Sequence, residues 1–189
     1  ERSIRDFPKQ FEFEPMIENE SALRRSKRFL VCGMGGSNLA TGLVAVAHPR
    51  EEIRAYHDYG LPLMPAGELE SSLVIASSYS GNTEETLHAF ETAFERGLAL
   101  AAVATDGKLI QLAENGKTPF IRLPSTGIQP RSALGFQTRA LLKLIGDEKG
   151  LIDTIELSVF LDADAAEKRG KALAKKLAGK IPVIYASGR

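Results

Sequence analysis

Leu73-Val74-Ile75-Ala76-Ser77 runs directly into Ser78-Tyr79-Ser80-Gly81-Asn82-Thr83-Glu84-Glu85-Thr86. The first five residues are a run of strand length, apolar up to the closing Ser77, the pattern of a parallel strand buried on both faces. The residues that follow the second stretch, Leu87 to Phe94, have apolar side chains at helical spacing. The stretch between is therefore a loop from the end of a strand into the start of a helix. Four aliphatic hydroxyls (Ser78, Ser80, Thr83, Thr86) gather there around Gly81, which permits a tight turn and close approach of a ligand to the backbone. Asn82 with Glu85 three residues on reads as a variant capping box starting the helix at Thr83. Free N–H groups and the positive end of the helix dipole would then face the loop. Hydroxyls beside such N–H groups make a phosphate site that needs no lysine. A cap that only begins a helix uses one side-chain oxygen, so four exceed what capping requires.

Working outward, Phe29 to Cys32 reads as a first strand ending in Gly33-Met34-Gly35-Gly36-Ser37-Asn38, with a helix over Leu39 to Ala47 stopped at His48-Pro49. A strand, a glycine-rich turn and a helix suggest a ligand loop at the carboxyl end of a parallel strand. The glycines lack the spaced fingerprint of dinucleotide domains, and they could equally serve close helix–strand packing. Ser37 is the expected cap of the helix.

Further strands are expected over Ile53–His57, Leu98–Ala104 and Thr118–Leu123, with a short helix over Lys108–Glu114. Strands and helices alternating at these lengths give an open parallel sheet covered on both faces. A loop over Pro124–Pro130 leads into a helix opening at Arg131-Ser132-Ala133-Leu134-Gly135 and running to Gly146. A cation at a helix start opposes the dipole, so Arg131 is not there for helix stability. A solvated arginine is the plain alternative, a binding role the sharper one.

The flanks are less ordered in pattern. Residues 1–20 mix Phe7, Phe11 and Phe13 with charges and prolines, an arm whose aromatics should pack on the body or on a partner subunit. Ser21–Lys27 reads as a short polar helix. Residues 147–179 are charged and helical, closed by Gly179. Lys180–Arg189 reads as a new strand running into Ser-Gly, an echo of the first strand.

The 189 residues are 43% hydrophobic, and 24 basic residues balance 24 acidic ones. That charge balance argues against a nucleic-acid or membrane-surface partner. Cys32 is the single cysteine and lies in an apolar run, the setting of an inert thiol in a reducing compartment. No apolar run approaches a membrane span, and a cytoplasmic protein is expected. No His, Cys or carboxylate cluster has metal-ligand spacing, and no cofactor is implied. His48, His57 and His88 read as a helix end, a strand end and a helix-surface or packing residue, Glu85 as the partner of Asn82, and Glu84 as solvated.

Ser78 to Thr86 after a strand resembles the phosphosugar signature of sugar isomerase (SIS) domains. The resemblance implies a doubly wound α/β fold with a mostly parallel five-stranded sheet flanked by helices. Gly33, Gly35, Gly36 and Ser37 match the family's first loop. With Pro130–Gly135 and the new strand near Lys180, the chain looks like the bifunctional phosphoglucose/phosphomannose isomerases, built from tandem SIS domains, over residues 21–189. The implied layout is an arm (1–20), a first SIS domain (21–150), a helical linker (151–179) and the start of a second SIS domain (180–189). The implied reaction interconverts glucose 6-phosphate or mannose 6-phosphate with fructose 6-phosphate, in a protein that pairs as a homodimer. The implied site has Ser78, Ser80 and Thr83 on phosphate, with Gly36 and Ser37 in the first loop beside them, and Arg131 on the enediolate. The family's glutamate base and ring-opening histidine would lie beyond residue 189. The alternative is a non-catalytic phosphosugar-sensing module. A DNA-binding helix-turn-helix would favour it, and residues 1–28 are too short and lack that pattern.

Overall fold

The computed structural model describes residues 2–65 and 67–185. Five strands, β1 (Arg28–Cys32), β2 (Glu52–Tyr56), β3 (Ser72–Ser77), β4 (Ala99–Ala104) and β5 (Phe120–Arg122), form one sheet. The α-helices are α1 (Arg2–Arg5), α2 (Leu39–Ala47), α3 (Glu84–Glu95), α4 (Lys108–Asn115), α5 (Leu134–Ile145), α6 (Glu148–Ile155), α7 (Leu157–Phe160) and α8 (Ala163–Leu177). The strand order is β2-β1-β3-β4-β5, and every pair is parallel. This is the doubly wound α/β sheet that the alternation of elements predicts.

Side chains alternate across a strand, and each face of the sheet has its own core. Phe29, Val31, Leu73, Ile75, Ala101 and Val103 face Val44 of α2 and Ala140, Leu141 and Leu144 of α5. Leu30, Cys32, Val74, Ala76 and Leu100 face Phe90 and Ala93 of α3 and Leu109 and Ile110 of α4. Burial on both sides explains why the centre of β3, Leu73 to Ala76, is apolar at every position. From β1 the chain crosses over to β2 on one side, then returns to build β3, β4 and β5 on the other. The reversal falls between β1 and β3, the place where open α/β sheets bind ligands.

The arm packs on this body. Its 3-10 turn, Phe7–Glu12, buries Gln10 and Phe11, and Phe13 meets Phe136 edge to face at 5.7 Å. Glu18 and Phe120 exchange backbone hydrogen bonds of 2.8 and 3.0 Å, an isolated antiparallel bridge beside β5 that covers part of this sheet edge. The buried Arg139 of α5 fastens the arm: its guanidinium donates to the Phe13 carbonyl, to the Leu151 carbonyl at 2.7 Å and to Thr154 Oγ1 at 2.9 Å. Desolvation lowers its pKa, partly offset by Glu14.

Two sequence expectations fail here. Over Ser21–Lys27 there is only a 3-10 turn, Glu20–Ala22, because the stretch is short and docks only Leu23 on the core. Residues 180–185 form no strand: Ile181, Val183, Ile184 and Tyr185 stand exposed, with no neighbouring strand to share a ladder. Residues 186–189 of that expectation lie outside the described residues. α6 runs across residue 150 with Leu151 buried, so the helical segment starts packed on the domain, whereas α8 buries no side chain. No helix among the described residues is long and apolar enough to cross a membrane.

Cys32 is buried between β1 and its helices, and desolvation pushes its thiol up to about 12. Above the ordinary thiol pKa of about 8.5 the unfolded chain loses this proton while the native state keeps it. Stability should therefore fall as pH rises from about 8.5 towards 12, by at most about 1.4 kcal/mol per pH unit from this group. Urea unfolding at pH 7, 9 and 10 measures the slope. Cys32→Ala should be less steep than the parent by that amount.

Candidate functional site

The carboxyl ends of β1 and β3 are adjacent, with Cys32 in register with Ala76. The loops that leave them are joined by buried side-chain bonds. Ser77 Oγ donates to the Ser37 carbonyl at 3.0 Å, and Ser37 Oγ accepts from the Tyr79 N–H at 3.0 Å. Ser37 is thus not the cap of α2. It lies in a 3-10 turn, Gly35–Asn38, with its hydroxyl turned to the neighbouring loop, and Asn38 occupies the cap position without capping α2 through its side chain. Asn38 Nδ2 donates instead to the Gly33 carbonyl at 3.1 Å, and His57 Nδ1 lies 3.0 Å from that carbonyl.

The second loop is locked from within. Ser78 is 1% exposed, and its Oγ accepts from the Gly81 N–H at 3.1 Å and lies 2.8 Å from Thr83 Oγ1. Ser80 is exposed, with its Oγ 3.3 Å from the Asn82 N–H that donates to it. Asn82 does not cap α3. Its Oδ1 accepts from the Lys108 N–H of α4 at 3.0 Å, and its Nδ2 donates to the Ser80 carbonyl. Helix α3 starts at Glu84 with Thr83 in the cap position, and no side chain caps it. The capping box fails because tertiary partners claim Asn82, and Thr83 Oγ1 is committed to Ser78. The consequence is useful: α3 opens without a side-chain acceptor on its first-turn N–H groups, which leaves them for an anion. Glu84 accepts from Tyr59 Oη at 3.3 Å, and Glu85, Glu84 and burial together raise the tyrosine's pKa.

Two glycines let this loop and its neighbours touch backbone to backbone. Gly81 has φ +72°, and a Cβ there would stand 1.7 Å from the Asp106 carbonyl in the turn after β4. Gly36 lies against the Pro130–Ser132 turn: its Cβ would stand 2.5 Å from the Arg131 nitrogen. The four loops after β1, β3, β4 and β5 therefore form one contiguous rim. Arg131 is exposed on it, and no side chain among the described residues pairs with its guanidinium. It belongs to a 3-10 turn ahead of α5, which starts at Leu134 rather than at Arg131.

All six residues singled out from the sequence thus lie on the rim. Ser80, Thr83, Gly36 and Arg131 are open to some degree, while Ser37 and Ser78 are buried and hold the loops. The sequence reading missed Ser77, Asn82 as a bridge to α4, and Thr105, whose Oγ1 donates to the Tyr79 carbonyl at 2.7 Å. Thr105 had a signal, since it follows a predicted strand at the same end of the sheet. Among the described residues no group of His, Cys, Asp or Glu is placed to hold a metal ion.

No protein-family model matches the chain. A solved structure, that of a candidate phosphosugar isomerase from Clostridium difficile, aligns with a TM-score of 0.61 at 16% identity, over 93% of this chain and 56% of that one. The parallel sheet with its rim of loops is the fold of the sugar isomerase (SIS) domains. In sequence, the chain is 32% identical over 191 residues to the bifunctional phosphoglucose/phosphomannose isomerase of Aquifex aeolicus, covering 97% of this chain and 57% of that protein. It is 36% identical over 174 residues to the protein of the same name from Caldicellulosiruptor bescii, covering 84% and 50%. The chain thus has the SIS fold and resembles the bifunctional phosphoglucose/phosphomannose isomerases in sequence, and it spans about half the length of these relatives.

Gly81→Ala should be among the most damaging single substitutions on the rim. It meets a backbone carbonyl and a positive φ at once, so neither a rotamer change nor a small shift relieves it. A loss of about 3 kcal/mol is expected, read by urea unfolding, whereas Gly35→Ala has open space around it and should cost less.

Proposed function

We propose that this chain is the phosphosugar-binding unit of an aldose–ketose isomerase that interconverts glucose 6-phosphate or mannose 6-phosphate with fructose 6-phosphate. The observation that carries the reading is the uncapped start of α3 beside the Ser78–Thr83 hydroxyls, at the reversal point of the sheet. Ser80, Thr83 and the first-turn N–H groups of α3 hold the phosphate, with Ser78 behind them. Gly36 and Ser37 close the other side. The names of the relatives favour this reading over a non-catalytic sensing module.

The reaction moves a proton between C1 and C2 through a cis-enediolate, which needs a general base and a second group to open the ring. Negative charge develops on the enediolate oxygens, and a fixed cation nearby lowers the barrier. Arg131 is the residue for that task, because its guanidinium forms no ion pair with a carboxylate among the described residues. The glutamate base and ring-opening histidine implied by the resemblance belong to a second SIS domain, opened by residues 180–189 after a helical linker. The same reading makes the whole protein a cytoplasmic homodimer. The buried, inert Cys32 suits a reducing compartment.

Calorimetry with fructose 6-phosphate tests the phosphate assignment. Ser80→Ala and Thr83→Val should each lose about 1.5–3 kcal/mol of binding, the worth of a charge-assisted hydrogen bond. Unchanged affinity in both variants removes it.

Arg131→Lys, made in the protein that carries both halves of the site, should lower kcat more than it raises KM. Lysine keeps the charge but lacks the planar fork that holds a developing oxyanion. A change in KM with kcat intact would make Arg131 a binding residue only.

A further inference from the structure

We infer that Gln10, on the arm, is a positioning residue for Arg131; the inference rests on the catalytic reading of Arg131. Gln10 is 3% exposed, and both ends of its carboxamide are used on the segment that carries the arginine. Nε2 donates to the Ser132 carbonyl at 2.6 Å, and Oε1 accepts from the Gly135 N–H at 2.9 Å. A carbonyl can only accept and a backbone N–H can only donate. An uncharged group with one donor and one acceptor end is therefore what this place requires.

The bond to Gly135 does a job the local sequence leaves undone. Ala133 stands in the cap position of α5 and has no side-chain acceptor to offer. Gln10, 125 positions earlier in the chain, supplies the missing acceptor to the second residue of the helix. The fit is close: a Cβ on Gly135 would stand 2.6 Å from Gln10 Cβ. On its other side the same segment is pressed against the β1 loop, where Gly36 leaves no room for a side chain. Residues 130–135 are thus clamped between the β1 loop and the arm. No described side chain holds the Arg131 guanidinium, so the placing of its backbone is what aims it. Loosening the arm side of the clamp lets Arg131 drift, and a misplacement of about 1 Å can cost on the order of a hundredfold in rate.

The test is made in the protein that carries both halves of the site, with Gln10→Met, Gln10→Glu, Arg131→Lys and the double variant Gln10→Met/Arg131→Lys. Methionine fills the space and drops both bonds. Glutamate keeps the acceptor for Gly135 and loses the donor. The expected result is a kcat about ten- to a hundredfold lower for Gln10→Met, with KM and calorimetric affinity for fructose 6-phosphate within about twofold. Gln10→Glu, which sets a buried carboxylate against the Ser132 carbonyl, should lose at least as much, and Gln10→Leu carries the test if Gln10→Met does not fold. In the Arg131→Lys background Gln10→Met should cost little more, because it acts through the arginine. Amide hydrogen exchange at Gly135 should quicken in Gln10→Met. Loss of turnover in Arg131→Lys with turnover kept in both Gln10 variants overturns the inference and leaves the site reading standing. Additive losses, or phosphosugar affinity falling as far as kcat, overturn it as well. Turnover kept in Arg131→Lys overturns the site reading and the inference together.

Discussion

The site depends on how two diverging loops are held together where the sheet reverses. No crossover helix joins the ends of β1 and β3 directly, so the loops after them have no local reason to stay in contact. Two buried serines supply the reason: Ser77 donates to the Ser37 carbonyl, and Ser37 accepts from the Tyr79 N–H. Each bond is worth only about 1 kcal/mol net, but removing Ser37 Oγ would leave a buried N–H without an acceptor, at about 1–3 kcal/mol. From this tie the rim spreads both ways. The β3 loop lies on the turn after β4 through Gly81, and the β1 loop lies on the Pro130–Ser132 turn through Gly36.

The electrostatics of the site are local. The chain carries no net charge, so no long-range field draws an anion in. In the proposed site, attraction would come instead from the start of α3, from the hydroxyls and from Arg131. Glu84 and Glu85 stand in the first turn of the same helix. They favour the helix and oppose a phosphate. The hydroxyl of Tyr59 draws Glu84 aside through a hydrogen bond.

Much of this was legible in the sequence, for identifiable reasons. The strand cores alternate or run fully apolar, and periodicity depends on burial alone, so the sheet and its order of elements could be read. The loops could be read because Gly and Ser cluster at strand ends, where backbone must turn tightly. Capping could not. Asn82 and Ser37 have the residue types and spacing of caps, yet each side chain finds its partner on another element. That choice depends on which loops meet, and local spacing carries no record of it. Gln10 was invisible for the same reason: nothing within the first twenty residues marks a glutamine whose partners lie more than a hundred positions away. The apolar stretch after Lys180 has strand composition, but a strand also needs a neighbour to share its hydrogen bonds.

The arm's contacts also bear on the order of assembly. Among its partners are Phe120, Ser132, Gly135, Phe136, Arg139 and, through Arg139, Leu151. A ribosome adding about 5–20 residues per second makes those partners roughly 6–25 s after the arm. During that interval Phe13 lacks its partner Phe136, and Phe7 and Phe11 have only each other and residues of α2 nearby. The sheet strands, by contrast, find their neighbours within a few tens of residues. Vectorial synthesis therefore leaves the docking of the arm on α5 until after the sheet strands have been made.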